Sequence, residues 1–181
     1  MHFGHNAVDY NGVETKLKHR LLIRLFGTVT ESSAKHDLMN CIFCDIIAGK
    51  VEASIIYRDE HVCAFMDIQP VNTGHILVVP TAHAVGLSDI SAEDAASVFL
   101  TAQKMALALK SSGLPCEGVN LFLADGAAAM QEVFHLHLHV FPRYSGDGFG
   151  LTFSDRYHQK PSRAEIEAAA DTVRTALAAM T

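Results

Sequence analysis

The chain has 181 residues, with 49% hydrophobic and 19% charged, the balance of a globular protein of about one domain and not of a disordered or fibrous chain. Fourteen Lys+Arg against 20 Asp+Glu leave a formal charge of −6, which argues against a basic nucleic-acid surface. The longest apolar runs, such as Ile76 to Pro80, fall far short of the roughly 20 residues a membrane helix needs, so neither nucleic acid nor membrane is expected as a partner. Four Cys, two of them as Cys41-Ile-Phe-Cys44, suit a reducing cytoplasm and a metal knuckle better than a disulfide framework.

Residues 1–38 show little periodicity apart from Thr15 to Phe26, basic first and then apolar, and read as an accessory N-terminal extension. Asp9, Glu14 and the lack of a long apolar stretch speak against a secretory or organellar leader. Translation from Met39 is the plain alternative. Residues 39–181 read as one domain. Short β-rich runs fall at Ser54–Tyr57, His61–Met66, His75–Val79, Val119–Leu123 and Val133–Phe141, five expected strands. Between the third and fourth, Ser91 with Asp94 three residues on predicts a helix N-terminus, and Ala95, Val98, Ala102, Met105 and Leu109 keep a helical spacing up to Gly113. Past the Gly-rich turn at 145–150, Ile166, Ala170, Val173 and Leu177 predict a second amphipathic helix. Strands without regular βαβ alternation point to an α+β fold with an antiparallel sheet.

Eleven His residues are the compositional surprise. In the run 134–141, alternation puts His135, His137 and His139 on one face of a strand and Leu136, Leu138 and Val140 on the other. Three aligned imidazoles are costly as mere packing, because each buried ring brings two nitrogens that need partners. Two chemistries could use them: a metal centre built on His-x-His, or nucleophilic catalysis in which a neutral imidazole attacks phosphorus while its neighbours set its tautomer. The middle ring, flanked on both sides, is the better-supported nucleophile. A metal-dependent enzyme with zinc on all three histidines would leave the Cys pair without a task.

The run His135-Leu-His-Leu-His-Val-Phe141, followed by Pro142-Arg143, resembles the signature of the histidine-triad (HIT) superfamily, and Cys41 to Gly49, Ala64 to Pro70 and Gly74 to Pro80 with His83 resemble further blocks in the family's order, about residues 40–150 in all. The resemblance implies a five-stranded antiparallel sheet with two helices, paired into a homodimer. It implies a nucleotide hydrolase or transferase acting on purine nucleoside phosphoramidates or dinucleoside polyphosphates through a nucleotidyl-histidine. His137 is then the nucleophile, His139 orients, and Gln131 donates to the phosphate. Likeness to zinc-carrying bacterial-type members implies a closed structural Zn²⁺ site of Cys41, Cys44, His83 and His135, with His61 and His75 as substitutes. It also implies that Asp67 binds ribose, that Ile42, Phe43, Ile46, Phe65 and Ile68 line an apolar slot for the base, and that His75 supports His139. Departures from the family pattern lie at Ala124, Met130 and Glu132, where members carry Asn, Gly and Ser or Thr. A Glu at that position is either a general acid or turned outward. The altered segment also keeps open a non-catalytic nucleotide-binding or adaptor protein of the same fold.

Overall fold

The computed structural model describes residues 41–180, so the expectations for residues 1–38 lie outside it. The described residues form two compact units, one up to Ser145 and one from Gly146.

In the first unit, α1 (Ile42–Ile47) precedes β1 (Ile55–Arg58), β2 (Val62–Met66), β3 (Ile76–Pro80), α2 (Ala92–Ser111), β4 (Gly118–Leu123) and β5 (Leu138–Arg143). The strands form one antiparallel sheet in the order β1-β2-β3-β5-β4. The expected α+β sheet of five strands is present. α1 is additional: six residues are too few for a 3.6-residue repeat to stand out in sequence.

α2 begins as its sequence dictates. Ser91 caps it, its Oγ accepting from the Asp94 N–H at 3.0 Å, and Val98, Ala102, Met105 and Leu109 are buried on one stripe. That stripe packs on Val62, Ala64, Ile76, Val78, Leu138 and Val140, the apolar face of the sheet. The opposite face carries Cys63, Phe65, Leu77 and Val79, covered by Phe43 and Ile46 of α1. Gly74, at φ +101°, makes the turn into β3, and a Cβ there would lie 3.0 Å from Leu114 Cδ1, so a larger residue would be strained and crowded.

The second unit holds a 3₁₀ turn, Asp155–His158, and α3 (Arg163–Ala178). Ser162 and Glu165 form a reciprocal capping box. The expected apolar stripe is present in sequence, yet Ile166, Val173 and Leu177 are exposed. Among the described residues, no helix is long and apolar enough to cross a membrane.

Candidate active site and metal cluster

The pairing Leu77↔His139↔Phe122 places His139 on the α1 side of the sheet, with Leu138 and Val140 on the α2 side. The strand itself starts only at Leu138, later than the expected Val133. His135 and His137 lie in the lead-in to that strand, outside the ladder, where the Leu136 N–H donates to the Ala84 carbonyl at 2.7 Å. The alternation of side chains persists without the ladder. Leu136 joins the apolar core, and His135 and His137 both meet the ring of Phe43, with centroids 5.9 and 5.3 Å away.

The hydrogen bonds assign the tautomers of His75, His135, His137 and His139. A carbonyl only accepts, so His137 Nδ1, 2.7 Å from the His135 carbonyl, carries the proton and Nε2 is left with a lone pair. By the same reasoning His135 Nε2 donates to the Pro80 carbonyl at 2.9 Å, leaving its Nδ1 as a ligand atom. The Val71 N–H donates to His75 Nδ1 at 3.1 Å; His75 Nε2 therefore donates to His139 Nδ1 at 2.9 Å, and His139 Nε2 keeps its hydrogen. Burial holds all four rings neutral: it lowers His75 and His137 and brings His135 and His139 to about 4. The backbone groups of Val71 and Pro80 that set these tautomers have no side-chain signature, and sequence reasoning missed them.

Asp67 follows β2, its Oδ1 accepting from the Gln69 N–H at 2.8 Å and its Oδ2 lying 3.4 Å from His75 Nδ1. Because that nitrogen already accepts from Val71, the contact sets an anion beside a neutral ring and is no ion pair. The Asp67 charge nevertheless favours the cationic forms of His75, His137 and His139. Glu132 is exposed, as expected for a side chain turned outward, and its charge also favours cationic His137.

The proposed base slot divides. Phe43, Ile46 and Phe65 are buried packing between α1 and the sheet, so they form the floor and not an open surface. Ile42 is exposed, and Ile68 stands 94% exposed because the strand ends before it. Gln131 also departs from expectation. It is buried, and both amide hydrogens are committed, to the carbonyls of Val85 at 2.7 Å and Val133 at 3.2 Å, leaving none for a phosphate. Ala124 is buried, and Met130 is exposed and left-handed at φ +69°, a conformation that a Gly would adopt without strain.

Cys41 and Cys44 at the start of α1 meet His83, just past β3, and His135. All four ligand atoms lie within 4.8 Å of one another, and sulfur to Nδ1 distances are 3.3 Å (Cys44–His83), 3.4 Å (Cys41–His135) and 3.5 Å (Cys44–His135). A tetrahedral zinc ion with bonds of about 2.3 Å to sulfur and about 2.0 Å to nitrogen sets those atoms about 3.5 Å apart. Burial and then Cys41 push the Cys44 thiol up to about 11, so this pocket needs a cation to hold thiolates. The donor set fits a structural zinc site. His61 lies elsewhere, its Nδ1 2.9 Å from Asp94, and His75 belongs to the imidazole chain. Asp67, His75 and His139 form a second donor group among the described residues, but with these tautomers the His75 lone pair is taken by Val71.

The sequence matches the family profile of the HIT domain over residues 48–146. Over 126 residues it is 43% identical to the "Protein hit" of Bacillus subtilis (strain 168), covering 67% of this chain and 86% of that one. Two solved structures share the fold. A zinc-bound histidine triad family protein from Mycobacterium smegmatis has TM-score 0.59 and 40% identity, covering 76% of this chain and 98% of its own. A histidine triad nucleotide-binding protein from Candida albicans has TM-score 0.70 and 25% identity, covering 78% and 100%. With the family profile, the alternating triad and the sheet that carries it in agreement, the chain belongs to the HIT family.

Proposed function

We propose that the protein is a hydrolase or transferase of purine nucleotides that works through a nucleotidyl-histidine. The observation that carries this reading is the orientation of His137: its Nδ1–H is held by the carbonyl of His135, two residues away, so Nε2 presents a lone pair. That nitrogen attacks the α-phosphorus, and the bond from phosphorus to the amine or polyphosphate leaving group breaks. His139, whose Nδ1 is occupied by His75, offers its Nε2–H as a hydrogen bond to the departing group and keeps that proton; a departing amine takes its proton from solvent. His137 becomes cationic when its Nε2 bonds to phosphorus, its Nδ1 keeping its proton and donating it to the His135 carbonyl, and the Asp67 charge favours that state. Water then attacks phosphorus as the N–P bond breaks, giving the nucleoside monophosphate, a proton released to solvent and the neutral ring with its Nδ1–H. Bound at Cys41, Cys44, His83 and His135, zinc would close its shell with protein ligands and act structurally.

The test is a panel of adenosine and guanosine phosphoramidates and dinucleoside polyphosphates, with protein quenched in denaturant at mildly alkaline pH, where the N–P bond survives, and analysed by mass spectrometry. Turnover with a nucleoside monophosphate adduct on His137 is the expected result. Binding without turnover or adduct would instead make the protein a nucleotide-binding or adaptor member of the fold.

Asp67 is the proposed ribose ligand, since the Gln69 N–H uses only part of the accepting capacity of its carboxylate. Asp67→Asn keeps an oxygen for that turn and removes the charge, so nucleotide affinity should fall by about tenfold or more, the 1.5–3 kcal/mol of a charged hydrogen bond. A 2′,3′-dideoxynucleotide should lose comparable affinity for the parent protein and little further for the variant. Calorimetry on the four combinations gives the coupling; a value near zero removes Asp67 from the ribose site.

A homodimer is the proposed assembly, and a cytoplasmic location accompanies it. Supporting the dimer, Phe99, Leu100 and Leu107 of α2 and Leu121 of the edge strand β4 are exposed apolar groups on the first unit.

A further inference from the structure

Gln131 is only 5% exposed and all of its polar atoms point into protein. Its Oε1 accepts from the Gly126 N–H at 2.7 Å, and its Nε2 donates to the carbonyls of Val85 at 2.7 Å and Val133 at 3.2 Å. Val85 stands two residues after His83, and Val133 two residues before His135. One side chain therefore bridges the backbone beside two members of the metal cluster that come from different parts of the chain. Two further links run between the same segments. The Leu136 N–H donates to the Ala84 carbonyl at 2.7 Å, and the Leu87 N–H donates to Asp125 Oδ1 at 3.4 Å. Gly86 makes room for that carboxylate, since a Cβ there would come within 2.2 Å of Asp125 Oδ1.

We propose that Gln131 is a positioning residue that straps the loop before the triad to the segment following His83, so that one hydrogen-bonded unit holds both the zinc ligands and the backbone that orients His137. The proposal rests on the reading of His137 as nucleophile and of the Cys₂His₂ cluster as a zinc site. Its physical basis is preorganisation. With the strap intact, His83 and His135 are held near each other before metal binds, and the His135 carbonyl that fixes the His137 proton is held by the same segment.

Gln131→Glu is the informative variant, because it keeps the shape and the acceptor for Gly126 while facing two carbonyls without an amide hydrogen. Zinc affinity is measured by competition with a chromophoric chelator, alongside circular dichroism and the kcat and KM for an adenosine phosphoramidate. The expected result is zinc affinity weakened by about 10- to 100-fold, as for other groups that support metal ligands. At saturating zinc, kcat should fall by about tenfold or more with KM within about twofold of the parent. Zinc affinity within about threefold of the parent overturns the strap. A raised KM with unchanged zinc affinity assigns Gln131 to the phosphate instead, and weakened zinc with unchanged kcat severs the link to His137. Should the Glu variant fail to fold, Gly86→Ala, which displaces Asp125, is expected to weaken zinc by roughly three- to tenfold, and no weakening there overturns the proposal. The zinc arm requires no turnover, so a parent protein inert toward the substrate would count against the nucleophile alone.

Discussion

His137→Ala is expected to abolish nucleotidyl turnover and the covalent adduct while leaving the melting temperature close to that of the parent. The ring faces the α1 side of the sheet, and the neighbours that anchor the segment, Leu136 and Leu138, pack on the opposite face. Losing a covalent nucleophile removes on the order of 4 kcal/mol or more of transition-state stabilisation, several powers of ten in rate. Steady-state assay with a sensitive product readout, on protein whose fold is verified by circular dichroism, checks this. A variant that keeps its rate within about tenfold of the parent would show that the lone pair directed by the His135 carbonyl is not the attacking group.

Metal removal should produce the second large effect. Protein purified without chelators is expected to contain about one zinc per chain, because the four ligand atoms complete one tetrahedral shell. Stripping the metal should lower Tm by on the order of 10 °C, since a ligand present at a thousandfold excess over its Kd contributes about 4 kcal/mol. Cys44→Ser should reproduce the loss and be insensitive to added zinc, whereas the stripped parent should recover. The structural reason is that one metal shell ties together α1, the segment after β3 and the lead-in to β5. A zinc-free protein with an unchanged Tm would make Cys41 and Cys44 ordinary packing residues.

The imidazole triad was legible because a period of two survives even where the strand ladder does not: His135 and His137 alternate with Leu136 before β5 begins. α2 was legible from its cap at Ser91 and its stripe from Val98 to Leu109, both set by local spacing. α3 shows the limit of that rule. The stripe Ile166, Val173 and Leu177 predicts an apolar face but does not say what covers it, and those side chains are exposed. α1 escaped notice because six residues carry too little repeat.

By itself, then, the sequence determined the five strands, the long helix α2, the face on which the triad stands and the identity of the metal donors by family resemblance. Only the tertiary structure decided what depends on groups distant in the chain. It brought Cys44 to His83 across 39 positions and to His135 across 91. It placed Phe43, Ile46 and Phe65 beneath the site and turned Ile68 outward, and it bound both hydrogens of the Gln131 amide to backbone carbonyls. It also set the tautomers of His75, His135, His137 and His139 through the Pro80, His135 and Val71 backbone. The physical reason is the same throughout: periodicity reports which face a side chain takes, whereas a hydrogen bond or a metal shell depends on which backbone groups and donors folding delivers to that face.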